Sequence, residues 1–344
     1  MTFVVVVNLM SFHFTPSSNG RGPLPDPRHL PSLSQVSTPL SGYRRRMTPT
    51  PCDDNRMEQT PEVLRYAAFT ATPDGGNPAG VVLDARSLDD AGMQAIASGI
   101  GYAETVFVTE VAVDGDTRRN RVRYFSPIAE VPFCGHATIA LAVALSGRDG
   151  AGSFVFDTAV GPVVIGTALR GAAVTASFTS VEPRIAEFAD GVLDSLLGLL
   201  GVGQGELHPG YPPMVAFAGN WHPILVFAER STFDSFIFDP DAMRALMDAK
   251  GWAGTVTTLC EIGRGEFDSR NLFPVGTITE DPATGSAAAA FGAYLRLLSL
   301  VETPSRVIVH QGSHVGRPSV LTVDIPSQGG IVVSGEAVEI AEPS

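Results

Sequence analysis

Glu280-Asp281-Pro282-Ala283-Thr284-Gly285-Ser286-Ala287 runs directly into an Ala-rich apolar stretch that continues past Leu295. The same design occurs 150 residues earlier, where Glu130-Val131-Pro132-Phe133-Cys134-Gly135-His136-Ala137 leads into apolar residues up to Leu145. Laid over one another, the two sixteen-residue windows share Glu, Pro, Gly, Ala, Ala and Leu at equal positions. Chance gives roughly one or two matches in so Ala-rich a pair, so we read an internal duplication with a domain-sized period. Each copy is a tight turn, with Gly where the backbone bends or approaches a partner closely, followed by a helix start. A helix start offers free N–H groups and a positive dipole end, which suits a carboxylate. Two such starts from two like halves are expected to face one another across a cleft and take a small acidic substrate.

The rest of the chain narrows the class. A length of 344 residues is enough for two domains with proper cores. The net charge of -13 argues against nucleic acid and against anionic membrane surfaces as partners. Three cysteines (Cys52, Cys134, Cys260) do not make a disulfide framework, which points to a reducing compartment, and we expect the cytoplasm. No apolar run approaches the roughly 18–20 residues of a membrane span. Lys250 is the single lysine, placed at a helix end before Gly251, so there is no good candidate for a pyridoxal-phosphate Schiff base or a nucleotide-binding lysine.

Residues 1–61 differ from the remainder. The short apolar run of Met1–Met10 lacks a preceding cation and a clear cleavage site, and Pro, Ser, Arg and Gly follow without periodicity. This extension reads as disorder, or as a start placed too far upstream, with Met47 or Met57 as the true one. Strands are predicted at Leu64–Phe69, Gly80–Leu83, Glu104–Val108 and Arg121–Phe125, with Ser87-Leu88-Asp89-Asp90 resembling a capping box before a helix to Ser98. After the first Gly-turn and helix come strands at Ser153–Asp157, Pro162–Ile165 and Val174–Phe178. The second half is predicted to open with a helix (Phe188–Leu200), then strands at Met214–Phe217 and Ile224–Phe227. A helix at Pro240–Lys250 and strands at Gly254–Cys260 and Glu266–Leu272 precede the second Gly-turn and helix. Strands at Arg306–His310, Val320–Ile325 and Ile331–Ser334 close the chain. The expected class is α+β: two pseudo-symmetric domains, 62–180 and 181–328, each a curled, mostly antiparallel sheet around one central helix, with 329–344 forming a last strand that returns to the first domain.

Three residues stand where chemistry is expected. Glu104 opens a strand among apolar neighbours, where desolvation raises a carboxylate pKa and suits it to acid/base work; on pattern alone, a solvated strand-end Glu is the simpler reading. His136 follows Gly135 at a helix start, as a proton carrier or equally as a satisfied capping or core histidine. Asp281 lies one turn before a helix start, where dipole complementarity alone would explain it. For His136 and Asp281, position on the duplicated turns is what singles them out.

Gly76-Asn77-Pro78-Ala79, Glu104-Thr105-Val106-Phe107-Val108, Cys134-Gly135-His136-Ala137-Thr138 and the Glu280–Ala287 string resemble the phenazine-biosynthesis, PhzF-like isomerase family, in its order and at similar spacing. Gln311-Gly312 and Gly316-Arg317-Pro318-Ser319 resemble its closing segment. The resemblance runs from about Val63 to the C-terminus and implies a diaminopimelate-epimerase-like fold. It also implies an isomerase that uses no cofactor and no metal, and a homodimer. It implies Glu104 as the acid/base that moves a proton between substrate carbons, with His136 and Asp281 as its catalytic companions. Asn77, Gly135, Thr284, Gly285 and Ser286 would bind a small-molecule carboxylate substrate. Ala103 departs from the Ser usual before that Glu.

Three rivals remain at this level. A two-thiol epimerase needs Cys before each Gly, and Thr284 holds the second position, leaving at most a Cys/Thr dehydratase or epimerase; Cys134 otherwise reads as a small buried filler. A relative that keeps the fold as a non-catalytic binding protein is the second. The third is a metal enzyme using His310 and His314, spaced i,i+4 but interrupted by Gly312. Gly201-Val-Gly-Gln-Gly follows a helix, not a strand, and reads as a connection, not a dinucleotide loop. Trp221-His222-Pro223 reads as structural.

Overall fold

The computed structural model describes residues 61–171, 173–275 and 278–341; the reading of the first sixty residues lies outside them. These residues form one compact unit of seventeen strands in a single continuous hydrogen-bonded sheet, wrapped round two long helices. The fold is α+β and sheet-rich.

The two helices are Gly135–Asp149 and Gly285–Leu297, the helices that follow the duplicated turns. Every residue from His136 to Ser146 is buried, and so is every residue from Ala287 to Leu295. A helix apolar on all sides has no amphipathic face to expose, so sheet must enclose it. Ile139, Leu141 and Leu145 are fully buried, each contributing roughly 1.5–3 kcal/mol of transfer free energy. Small residues let strands approach closely. A methyl group at Gly292 would lie 2.7 Å from Val323 and 2.8 Å from Ile331.

The strand pairings repeat. In the first half Asn77–Val82 runs parallel to Glu104–Glu110, and Arg119–Phe125 runs parallel to Ser153–Thr158. In the second, Trp221–Phe227 runs parallel to Val256–Gly263, and Glu266–Val275 runs parallel to Ser305–Gln311. The other pairings are antiparallel. The last strand, Val332–Glu339, pairs with Ser319–Ile325, with Ala173–Thr179 and with Leu64–Ala68. It thereby closes a ring of strands around the Gly135 helix.

The duplication extends to an ion pair. Glu130 sits opposite Phe125, and Glu280 opposite Leu272. Two residues before each partner stands an arginine that clamps the glutamate: Arg123 on Glu130 at 2.7 and 2.6 Å, and Arg270 on Glu280 at 2.6 Å. The first pair is solvent-facing. The second is buried, with Arg270 7 % and Glu280 9 % exposed; there Arg270 also donates to the carbonyls of Phe233 and Phe236 and lies over the Phe236 ring.

Several element boundaries differ from expectation. The first helix is Asp90–Ile100, capped by Asp89 accepting from the Gly92 N–H, so the Ser87 box is not used. The helix expected from Phe188 begins at Val192, because Gly191 adopts φ 71° before it. The last strand continues past Ser334 to Glu339, and Gly335 lies against the Phe69 ring where a Cβ would be 2.4 Å from it. Three strands too short to show periodicity (Glu130–Val131, Arg184–Ala186, Ile278–Asp281) and a helix at Arg230–Ser235 were not anticipated.

Candidate active site

The sheet brings the two duplicated turns to one cavity of about 180 Å³. That is close to the volume in which a dry engineered cavity accepts one benzene-sized ring. Gly135 and His136 line it from one helix start, and Thr284, Gly285 and Ser286 from the other, together with Glu104 and Asp281. Phe178 lies between the helix starts. Its ring would be 4.0 Å from a Cβ on Gly135 and 2.9 Å from one on Gly285, so a side chain at Gly285 would have to displace it. Phe133, Val163, Val181, Phe273 and Ile278 make much of the wall apolar, and among the described residues no lysine or arginine lines it.

Glu104 is the first residue of its strand, and its side chain is 21 % exposed. Burial, and secondarily the charge of Asp281, push its pKa to about 7, against the opposing effect of a hydrogen bond from Cys134. That bond runs from Cys134 Sγ to Glu104 Oε2 at 3.4 Å. His136 Nε2 lies 3.4 Å from the same oxygen, and its Nδ1 3.2 Å from Cys134 Sγ. Burial holds His136 at about 3, so at neutral pH it is an uncharged imidazole and the contact with Glu104 is not an ion pair. Burial likewise keeps the Cys134 thiol protonated.

Asp281 ends the short strand Ile278–Asp281. Burial raises its pKa to about 6, partly offset by hydrogen bonds from Thr284 and Asn77. Thr284 Oγ1 donates to Oδ2 at 2.5 Å and Asn77 Nδ2 to Oδ1 at 2.7 Å. Asn77 also donates to the Ala283 carbonyl, is 1 % exposed, and stands behind Asp281, outside the cavity lining. Gln311 ties the turn together, donating to the Asp281 carbonyl and accepting from the Thr284 N–H. Because the Thr284 hydroxyl goes to Asp281, it does not cap the Gly285–Leu297 helix, and the first-turn N–H groups receive no side-chain cap. Thr284, Gly285 and Ser286 at this helix start line the cavity.

Two residues read as inert from the sequence belong to this site. Cys134 is no mere filler, since its thiol touches both Glu104 and His136. His222, fully buried, lines the cavity and bonds Ser286 through Nε2 at 3.1 Å. Nothing in the local sequence could have revealed His222, because its partner lies 64 residues away. The rival metal reading at His310 and His314 finds no support in the geometry. His310 stands 3.8 Å from Glu266, while His314 bonds Asp234 at 3.0 Å. Among the described residues, one cluster of His, Cys and carboxylate groups is close enough to share a cation, Glu104 with Cys134 and His136. Burial keeps its thiol protonated and raises the pKa of its carboxyl to about 7. Gly201 ends the Val192–Leu200 helix in the left-handed region and leads into a single short turn, as expected for a connection. No helix among the described residues is long and apolar enough to cross a membrane.

Residues 66–343 match the family model described as phenazine biosynthesis-like protein (PhzC-PhzF). An uncharacterized isomerase of Mesorhizobium japonicum is 35% identical over 303 residues, covering 83% of this chain and 98% of that protein. A trans-2,3-dihydro-3-hydroxyanthranilate isomerase of Pseudomonas fluorescens is 30% identical over 255 residues, covering 74% of this chain and 86% of the relative. The crystal structure of a Bacillus anthracis PhzF-family protein superposes with a TM-score of 0.71 at 26% identity, covering 81% of this chain and 96% of that one.

Proposed function

The chain belongs to the phenazine biosynthesis-like family of isomerases, and on that premise we propose that it moves a proton between two carbons of a small carboxylate-bearing metabolite, with Glu104 as the single acid/base. The observation that carries this reading is a carboxyl group with a pKa of about 7 in an apolar, ring-sized cavity. A base whose pKa matches the working pH combines a usable ionised fraction with proton affinity. Ionised Glu104 takes a proton from a carbon of the substrate. The electron pair of that C–H bond enters the adjacent unsaturated system, and protonated Glu104 then returns the proton to a second carbon, so charge and atoms balance with no external acceptor. No step needs a cofactor.

The other groups have supporting roles. The helix starts at Gly135 and Gly285, with the Ser286 hydroxyl, hold the substrate carboxylate through neutral donors. Neutral His136 and largely ionised Asp281 bind polar substituents and keep the proton within the cavity. Asn77, Thr284 and Gln311 fix Asp281. A single-ring carboxylic acid fits the volume, and the substrate of the Pseudomonas relative, a dihydro-hydroxyanthranilate, is of that kind. Cys134 and Cys260 are free thiols, in keeping with a cytoplasmic enzyme. We also propose a homodimer whose subunits divide near residue 180 into two like lobes.

The test is deuterium incorporation from D2O into a panel of amino, hydroxy and dihydroaromatic carboxylic acids, read by mass spectrometry. Exchange in the wild type, lost in Glu104→Gln and kept in Cys134→Ala, is expected. Exchange that survives Glu104→Gln but disappears in Cys134→Ala would assign the base to the thiol and sink this mechanism. Absence of exchange across the panel would favour a non-catalytic binding protein.

A further inference from the structure

The segment that leaves the strand Ser305–Gln311 and enters Ser319–Ile325 touches two turns that lie far apart in the sequence. At its start Gln311 holds the Asp281–Thr284 turn, donating to the Asp281 carbonyl at 2.6 Å and accepting from the Thr284 N–H at 3.1 Å. Gly312, at φ 81°, passes so close to that turn that a Cβ would lie 2.6 Å from the Pro282 carbonyl oxygen. The far end of the segment holds the turn Pro73–Gly76. The Arg317 guanidinium donates to the carbonyls of Gly76 at 2.7 Å, of Pro73 at 3.2 Å and of Gly75. The Gly76 N–H donates in return to the Pro318 carbonyl at 3.0 Å, and a Cβ on Gly75 would lie 2.4 Å from the same oxygen. Among the described residues no carboxylate bonds Arg317. Its planar fork of N–H donors is used on main-chain oxygens, a geometry that the compact ammonium of lysine does not copy.

Asn77 is the residue that follows this clamped turn. It is 1 % exposed, and its amide nitrogen donates to Asp281 Oδ1 at 2.7 Å and to the Ala283 carbonyl at 3.1 Å. Arg317 is thus joined to the Asp281 carboxylate by one peptide link and one side chain, while Gln311 holds the backbone of the same aspartate from the other end of the segment. We propose that Arg317 is a positioning residue of the active site: by fixing the Pro73–Gly76 turn it sets Asn77, and through Asn77 the Asp281 carboxylate that shares the cavity with Glu104. This rests on the reading of Glu104 as acid/base and Asp281 as its companion given above. Arg317 acts here by shape, not by charge. The pKa of Asp281 is raised by burial and lowered by the hydrogen bonds from Thr284 and Asn77, and no arginine charge contributes. The other titratable groups around the two carboxylates, Cys134, His136 and His222, are uncharged at neutral pH, and Arg317 bonds none of them. Loosening Asn77 removes one of the two bonds that favour the ionised aspartate. Asp281 then keeps its proton to higher pH, and Glu104, relieved of that charge, loses its own at lower pH.

The test compares Arg317→Ala, Arg317→Lys and Asn77→Ala. Carbon-13 NMR of the side-chain carboxyl carbons, assigned with Asp281→Asn and Glu104→Gln, follows both titrations without any substrate. Loss of one hydrogen bond to a carboxylate supports an upward shift of roughly one pH unit for Asp281 in Asn77→Ala, and a shift in the same direction, no larger, in Arg317→Ala. Because the two act along one path, adding Arg317→Ala to Asn77→Ala should shift Asp281 no further. Arg317→Lys is expected to fall between the wild type and Arg317→Ala. The rise of deuterium exchange with pH should move to lower pH in the same variants. An Asp281 titration unmoved in Arg317→Ala, or shifts that add in the double variant, would overturn the proposal and leave Arg317 a clamp on the fold alone. Where Arg317→Ala does not fold, Arg317→Lys decides by the same criterion, a shifted Asp281 supporting the proposal and an unmoved one overturning it. A wild type without exchange would fell the acid/base reading, while the Asp281 titration would still decide what Arg317 does.

Discussion

Glu104 should destabilise the folded protein whenever it is ionised, and by an amount that depends on pH. Its pKa stands at about 7 in the fold against 4.5 for an ordinary glutamate. At about 1.4 kcal/mol for each pH unit between those values, keeping the carboxylate charged in this cavity costs roughly 3 kcal/mol. The partly open side chain and its coupling to Asp281 place the measured figure nearer about 2 kcal/mol. Below pH 4.5 the group is protonated in both folded and unfolded chains, and nothing is lost. Between pH 4.5 and 7 the unfolded chain gives up its proton first, so stability falls as pH rises. Above pH 7 the full cost is present. Glu104→Gln keeps the shape and removes the charge. Urea unfolding should therefore find the variant more stable than wild type by about 2–3 kcal/mol at pH 8 and equal within error at pH 4.5. A difference that is the same at both pH values, or larger in acid, would refute the idea that desolvation raises this carboxyl. The same variant is expected to lose exchange activity, so stability and activity should move in opposite directions at one residue.

Exchange in the wild type should rise as pH passes upward through about 7, following ionisation of Glu104; Asp281→Asn, by removing the charge that holds this pKa up, should move the rise to lower pH, and an unmoved profile would deny the coupling. Cys134→Ala removes the hydrogen bond that lowers the Glu104 pKa, so its rise should move the other way, to higher pH, with exchange retained. Glu280→Ala leaves the buried Arg270 guanidinium unpaired and should cost about 3–5 kcal/mol in urea unfolding. Its counterpart Glu130→Ala breaks a solvent-facing pair and should cost under about 1 kcal/mol. Gly285→Ala drives a methyl group toward Phe178 and should lower stability by about 1–3 kcal/mol and weaken carboxylate binding together, as thermal unfolding with and without ligand would show.

What could be read in advance was whatever the chain encodes locally. The two turns declared themselves because Pro, Gly and the following apolar helix lie within sixteen residues of each other, and both buried helices followed from them. His136 and Asp281 could be placed on those turns and Glu104 at the start of a strand, and the structure brings all three to one cavity. Groups whose meaning depends on distant partners were not legible. His222 sits in an ordinary apolar strand, and only Thr255, 33 residues on, and Ser286, 64 residues on, give it a role. Cys134 looked like a filler because a small apolar residue at a helix start needs no other reason; its contact with Glu104 crosses 30 residues. The last strand was read too short because Gly335 breaks the alternation, while Leu64–Ala68, at the far end of the described chain, supplies the pairing that extends it.

Among the described residues the cavity wall carries no lysine or arginine, which bears on how the proposed chemistry could work. A guanidinium beside the substrate carboxylate would be the strongest single anion contact. It would also stand within a few ångströms of Glu104 and Asp281, and a positive charge there lowers a carboxylate pKa as surely as burial raises it. A base with a pKa near 4 is a poor acceptor for a proton bound to carbon. Neutral donors would avoid that conflict: in the proposed binding mode two helix starts and the Ser286 hydroxyl would hold an anion through partial charges, leaving a largely ionised Asp281 to keep the Glu104 pKa up. Introducing a cation at the rim, for instance by Asn220→Arg, should on this argument tighten carboxylate binding while slowing proton exchange at neutral pH and moving its rise to lower pH. Tighter binding with faster exchange at pH 7 would show that the cation-free wall has some other cause.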